Sequence, residues 1–246
     1  MPNPVMLEVT EVTGRAKQGV TEPYICRCSD GYEYFVKGKD AGRSSQIYEW
    51  VAGCLGRALG LPIPHFEIVH VDEAFLDIPE FRGIGAGPAF ASRKRLLNEL
   101  TISLLSKVPV HTQQKLLLFD HWVQNGDRTL SLNGGNPNLF WEPGEQQLVV
   151  IDHNQAFDVG YCVQDTFNYH VFRAQADSVF SDLAQRCELS DQLASCLLNL
   201  DDILAQIPED WRFLDEDRQQ ESVHLSDAQI RTILNRYENE QFWTER

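Results

Sequence analysis

Strand-forming segments crowd into the first third of the chain and helix-forming segments fill most of the rest. That segregation limits the available folds more than any other feature, and it points to an α+β arrangement of two unequal lobes. Leu7 to Thr13 alternates apolar and polar residues, and Tyr24 to Cys28 and Tyr32 to Lys37 are rich in aromatic and β-branched side chains. Ser29-Asp30-Gly31 supplies a tight turn between the last two, since glycine takes positive φ without a Cβ clash. A helix is then predicted from a cap at Ser44 or Ser45, with Ile47, Val51, Cys54, Leu55, Ala58 and Leu59 recurring at helical spacing. Gly60 suits its C-terminal cap, and Pro62 and Pro64 forbid continuation. After a strand from His65 to Val71, the Gly- and Pro-rich stretch Asp77 to Phe90 reads as a loop or hinge. This divides the chain into a strand-rich part, 1–88, and a mainly helical part, 89–246.

Within the second part, His111 to Gln124 carries Leu116, Leu117, Phe119 and Val123 on a helical pattern. Two short strands, Asn138 to Trp141 and Leu148 to Ile151, flank the turn Pro143-Gly144. Helices are predicted at about 174–186, 191–205 and 227–243, the last with a Ser226/Gln229 capping box. Trp141, Trp211 and Trp243 read as packing anchors.

The formal net charge is −15, from 21 Lys+Arg against 36 Asp+Glu, so a phosphate backbone would be repelled and no direct nucleic-acid partner is expected. Arg93-Lys94-Arg95 is the one dense basic run and reads as a solvated patch. No basic segment followed by an apolar one opens the sequence, and nothing approaches the ~18 apolar residues of a membrane helix. The six cysteines form no CxxC pair and share no zinc-ligand spacing with the histidines. A cytoplasmic protein with reduced thiols, without structural metal and without a membrane partner, is the expectation.

Chemistry concentrates between Asp120 and Asp152. A helix delivers Asp127 into an irregular polar loop, Asn138 enters a strand, and Asp152 follows the apolar run Val149-Val150-Ile151 at a strand terminus. Singly, these residues read as turn and cap chemistry. In this order, two carboxylates and an amide oxygen near a hairpin form a hard-oxygen set for a divalent cation, as phosphoryl transfer requires. His121 and His153 lie close by in sequence and read more readily as packed residues than as acid–base groups.

The run Asp127-Arg128, then Asn136-Pro137-Asn138-Leu139, then Ile151-Asp152-His153 resembles the catalytic and metal-binding segments of the HipA-like kinases. The resemblance covers roughly residues 10–160 and implies a bilobal protein-kinase-like fold, with ATP and Mg²⁺ as cofactors. It implies Asp127 as catalytic base, Asn138 and Asp152 as metal ligands, and Arg128 as loop support or a phosphate-neutralising group. The interval from Asp127 to the asparagine exceeds the usual spacing of about five residues, as in the kinase catalytic loop, which leaves Asn133, Asn136 and Asn138 in competition. Asn138 is favoured because it directly precedes an apolar strand residue. His153-Asn154 stands where Phe-Gly is familiar, and no Ala-Pro-Glu follows.

The strand-rich part supplies the complement. Lys37 ends a strand and Glu49 lies on the following helix, the order in which a kinase lysine contacts ATP phosphates and is oriented by a glutamate. Lys39, two residues on, is a rival. Gly14 and Gly19 bracket a segment between the first two strands where a phosphate-covering loop belongs; lacking a Lys-Ser/Thr, it is not a Walker loop.

The resemblance therefore implies an ATP- and Mg²⁺-dependent kinase acting on a protein serine or threonine. The rivals are a pseudokinase used as a nucleotide- or protein-binding module, and a phosphotransferase with a small-molecule acceptor on the same fold. HipA-like toxins commonly work with a DNA-binding antitoxin, so a separately encoded partner protein is conceivable. Nothing in this chain resembles that DNA-binding module.

Overall fold

The computed structural model describes residues 6–16, 22–130, 135, 137–214, 219–222 and 224–246. Its secondary structure is mixed α+β, in two compact units. One comprises Met1–Trp50, Pro64–Leu96 and Ile207–His224; the other comprises Val51–Ile63, Leu97–Gln206 and Leu225–Arg246.

The first unit is built on a closed barrel of five strands: β1 (Leu7–Arg15), β2 (Tyr24–Cys28), β3 (Glu33–Lys37), β4 (Phe66–Val71) and β5 (Gly87–Arg93), in the order β1-β2-β3-β5-β4. All neighbours are antiparallel except β1 and β4, whose parallel pairing of Leu7 with Val69 and Glu8 with His70 closes the ring. Strict alternation in β1 would put Val9 and Val12 on opposite faces. Both are buried, because the pairing with β2 shifts register between Val9 and Glu11 and brings both valines to the barrel interior. Cys26, Cys28, Tyr34 and Val36 join them there. Burial pushes both thiols up to about 12, with the charge of Cys28 adding to it at Cys26 and that of Asp30 at Cys28, which leaves them as inert core residues.

The stretch Asp77 to Phe90, expected as a loop or hinge, is instead part of this unit. It forms a 3₁₀ turn over Pro79–Ile84 and then enters β5, whose Ala89, Phe90 and Ala91 are buried. Phe75, Leu76 and Phe81 pack against the barrel core. Gly and Pro mark the turns, but a strand buried on both faces, Ala89 and Ala91 toward the barrel core and Phe90 against Phe66, carries little periodic signal.

Helix α1 (Arg43–Ala58) divides between the units at Trp50 and Val51. It starts before the predicted serine caps, the Gln46 amide donating to the Gly42 carbonyl. It ends as expected at Gly60, whose φ of 85° is the left-handed geometry of a glycine stop.

The second unit carries a three-stranded sheet of β6 (Asn98–Glu99), β7 (Leu139–Glu142) and β8 (Gln147–Val150). Its helices are α2 (Ile102–Leu105), α3 (Val110–Trp122), α4 (Val163–Tyr169), α5 (Ala176–Phe180), α6 (Leu183–Leu197), α7 (Leu200–Ala205), α8 (Asp227–Leu234) and α9 (Glu240–Thr244). The helix breaks differ from those expected: α6 runs through the gap between 186 and 191, the segment 227–243 divides into α8 and α9, and the Ser226/Gln229 capping box opens α8. α3 is the core element, with Leu116, Leu117, Leu118, Phe119 and Trp122 wholly buried. Trp122 Nε1 donates to the Leu234 carbonyl at 2.7 Å, and Trp243 Nε1 to that of Tyr237 at 2.7 Å.

Candidate active site

In the barrel unit, β3 and α1 bring Lys37 and Glu49 together as a buried ion pair between Nζ and Oε1. The lysine lies at the last position of β3, opposite Phe90 of β5. Gln46, one turn before Glu49, fixes the helix against that strand end. Its side-chain nitrogen donates to the Gly38 carbonyl at 3.3 Å, and its oxygen accepts from the Phe90 amide at 3.2 Å. Gln46 is fully buried. Sequence reasoning missed it, because a glutamine near a helix start is ordinarily a surface residue. Lys39, the rival lysine, has left the strand and begins a 3₁₀ turn, so the pairing with Glu49 singles out Lys37. Gly14, expected to open the connecting loop, lies within β1 opposite Ile25. Gly19 lies outside the described residues.

In the helical unit, the chain leaves α3 through Gln124 at a φ of 54°. The Asn125 side-chain oxygen then accepts from the Asp127 amide at 3.3 Å, a turn that sets the loop carrying Asp127. Asn138 Nδ2 donates to Asp127 Oδ2 at 2.8 Å, so the expected base and the expected metal-binding amide are direct neighbours. Asp152 is near enough for its negative charge to act on Asp127. Burial, with that charge adding, raises the Asp127 carboxyl above the ordinary range despite the Asn138 hydrogen bond. Asn138 and Asp152 both hold left-handed backbone, φ 52° and 59°, a conformation kept only where the surroundings enforce it. Asn133 and Asn136, the competing asparagines, lie outside the described residues. Among the described residues, no group of three or more His, Cys, Asp or Glu is placed to hold a metal; the set here is two carboxylates and an amide.

The enforcing element is Arg128. Its side chain is wholly buried beside an equally buried Asp120, with Nε to Oδ2 at 2.7 Å. Its Nη1 donates to the carbonyls of Pro137 (3.1 Å), Asn138 (3.3 Å) and Ile151 (3.2 Å), the backbone immediately around Asn138 and before Asp152. Of the two roles expected for Arg128, this geometry serves the first, support of the loop. Asp120 bounds the segment singled out in the sequence but is given no role there, although a carboxylate in the run Leu116-Leu117-Leu118-Phe119-Asp120 is a signal. An acid on the last turn of an apolar helix meets the negative end of the helix dipole and requires buried partners.

His121 is packed and neutral. Nδ1 meets Tyr161 Oη at 2.9 Å, Nε2 meets the Phe242 carbonyl at 3.1 Å, and burial lowers the ring to about 4. His153 is buried edge-on to Phe119. Trp141, Trp211 and Trp243 are all buried, as packing anchors should be. Among the described residues, no helix is long and apolar enough to cross a membrane.

Comparison with known proteins adds the family. No curated protein matches the chain. A solved structure that resembles it is the crystal structure of a Helicobacter pylori proinflammatory kinase, CtkA, at 12% identity and a TM-score of 0.46, covering 95% of this chain and 92% of that one. The model of the HipA-like kinase family matches residues 9–246, and the chain belongs to that family.

Proposed function

We propose that the protein is an ATP- and Mg²⁺-dependent phosphotransferase whose acceptor is a serine or threonine hydroxyl of another protein. In this reading the barrel unit and the helical unit are the two lobes of a kinase-like fold. The observation that carries it is the hydrogen bond from Asn138 to Asp127, made beside the carboxylate of Asp152.

Asp127 is the base. Its Oδ2 is held by Asn138, which leaves Oδ1 as the oxygen to accept the acceptor hydroxyl proton. A carboxyl raised by burial and by a second carboxylate binds that proton more readily than an exposed aspartate does. The donor set fits a hard cation, because the charge of Asp152 already acts against that of Asp127 and a divalent ion relieves the repulsion. Asp152 and Asn138 would hold it, the amide through Oδ1, since Nδ2 is engaged with Asp127. When bound, Mg²⁺ neutralises charge on the nucleotide phosphates. Lys37, paired with Glu49, is the residue that would contact the nucleotide phosphates, as the corresponding kinase lysine does.

The test is a thermal shift with Mg-ATP on the wild type and on Asp152→Ala. At ten times its Kd, nucleotide should stabilise by about 1.4 kcal/mol and raise Tm by about 3–6 °C in a chain of this size. A metal-dependent rise that Asp152→Ala loses supports the reading. No rise at millimolar Mg-ATP removes it.

A further inference from the structure

The phosphoryl-transfer reading leaves one buried cluster without a role. Asp120, on the last turn of α3, is fully buried and has three side-chain donors around it. Oδ1 accepts from Asn125 Nδ2 at 2.9 Å; Oδ2 accepts from Arg128 Nε at 2.7 Å and from His170 Nε2 at 3.0 Å. His170 is itself buried, and its Nδ1 accepts from the Phe172 amide at 3.0 Å. A ring whose Nδ1 is an acceptor is neutral and carries its one proton on Nε2, directed at Asp120. Burial of the imidazole favours the same neutral form. Burial alone would raise the Asp120 carboxyl, but Arg128 and the His170 hydrogen bond outweigh it and hold the group ionised.

His170 also lies where two stretches of backbone meet. It bridges Thr129 in antiparallel fashion, the Leu130 amide donates to the Tyr169 carbonyl at 2.9 Å, and the Val171 amide donates to that of Arg128 at 3.1 Å. The loop that carries Asp127 is thereby stitched to the chain that follows α4. One carboxylate thus gathers a side chain from the near end of the loop (Asn125), one from its centre (Arg128) and one from this second stretch (His170).

We propose that Asp120 and His170 are positioning residues of the phosphoryl-transfer site: they fix the guanidinium of Arg128, and through it the backbone that presents Asp127, Asn138 and Asp152. Neither residue touches substrate in this scheme. The proposal rests on the phosphotransferase reading, so its test needs one arm that does not depend on activity.

The full chain is prepared as wild type, His170→Phe and His170→Gln. Phenylalanine keeps a planar ring and removes both hydrogen bonds. Glutamine restores a donor near the position of Nε2. The first arm follows amide hydrogen exchange at Leu130 and Val171, the two bonds that stitch the loop. The second follows γ-phosphate release from Mg-ATP, resolved into kcat and KM. His170→Phe should speed exchange at both amides, since their opening becomes local. It should also lower kcat by about 10²-fold with the KM for Mg-ATP nearly unchanged, the mark of misplaced reacting groups and not of lost binding. His170→Gln should recover most of both effects. Unchanged exchange in His170→Phe overturns the proposal even if the wild type releases no phosphate, an outcome that would count against the kinase reading separately. Equal loss in Phe and Gln variants of the same melting temperature also overturns it, because packing of the ring and not its donor would then be what matters.

Discussion

The two groups of candidate residues, one in each unit, are assembled by different physics. Lys37 and Glu49 stand on regular elements: a strand end opposite Phe90 and a helix fixed to it by Gln46. Their meeting follows from register and helical phase. Asp127, Asn138 and Asp152 stand on irregular backbone, two of them at positive φ, and are held by a buried arginine that reads carbonyls. Regular elements position a side chain through many weak repeated bonds, each dispensable. Irregular backbone depends on a few buried polar contacts, each costly to lose.

Substitutions should therefore divide unevenly. The largest loss of stability is expected in Asp120→Asn, which keeps the shape and leaves Arg128 charged and without its counterion. Removing one partner of a buried pair costs about 3–5 kcal/mol. For a chain of this size that lowers Tm by roughly 6–20 °C in a melting experiment. A change of only a degree or two would show that the helical half is as redundantly held as the barrel half.

Lys37→Met comes next. The lysine side chain is 10% exposed and Glu49 4%, so the glutamate left behind is poorly hydrated. A hydrogen bond to a charged group contributes about 1.5–3 kcal/mol, and urea unfolding should show a loss in that range. The barrel ladders stay intact, so the circular dichroism spectrum should not change. Adding Glu49→Gln should recover part of the loss, because the buried carboxylate that has lost Lys37 is then neutral.

The smallest effect should be a gain. Because the folded-state pKa of Asp127 is raised, the native state binds its proton more tightly than the unfolded chain does. Stability then falls as pH rises through the window between the unfolded and folded values, and ionised Asp127 is a net cost above it. Asp127→Asn should melt slightly higher than wild type at pH 7, with the difference closing as pH falls through that window. Asp120 behaves in the opposite sense: its lowered pKa gives stability above the unfolded value, lost only as pH falls through the folded one.

The same contrast explains how far the sequence could be read. Strand and helix patterns located β2, β4 and both ends of α1 to within a few residues, because repeated side-chain periods report regular backbone. The order Lys37, Glu49, Asp127, Asn138, Asp152 could be listed from the sequence, and the structure pairs the first two and joins the third to the fourth. The bulge that puts Val9 and Val12 on one face left no trace in the alternation. Nor did the partners of Asp120, since Arg128 and His170 are separated by 42 residues (170 − 128) and meet only through tertiary packing. A pattern of types can name the chemistry; the contacts that hold it are long-range.

The most direct measurement is metal-dependent loss of the γ-phosphate from Mg-ATP, compared between the wild type and Asp127→Asn. The substitution keeps the size of the side chain and a hydrogen-bonding partner for Asn138. If Asp127 is the base, the rate should fall by about 10²–10⁴-fold while the protein still binds Mg-ATP. A rate in Asp127→Asn equal to that of the wild type would contradict the assignment of this loop as the reacting centre.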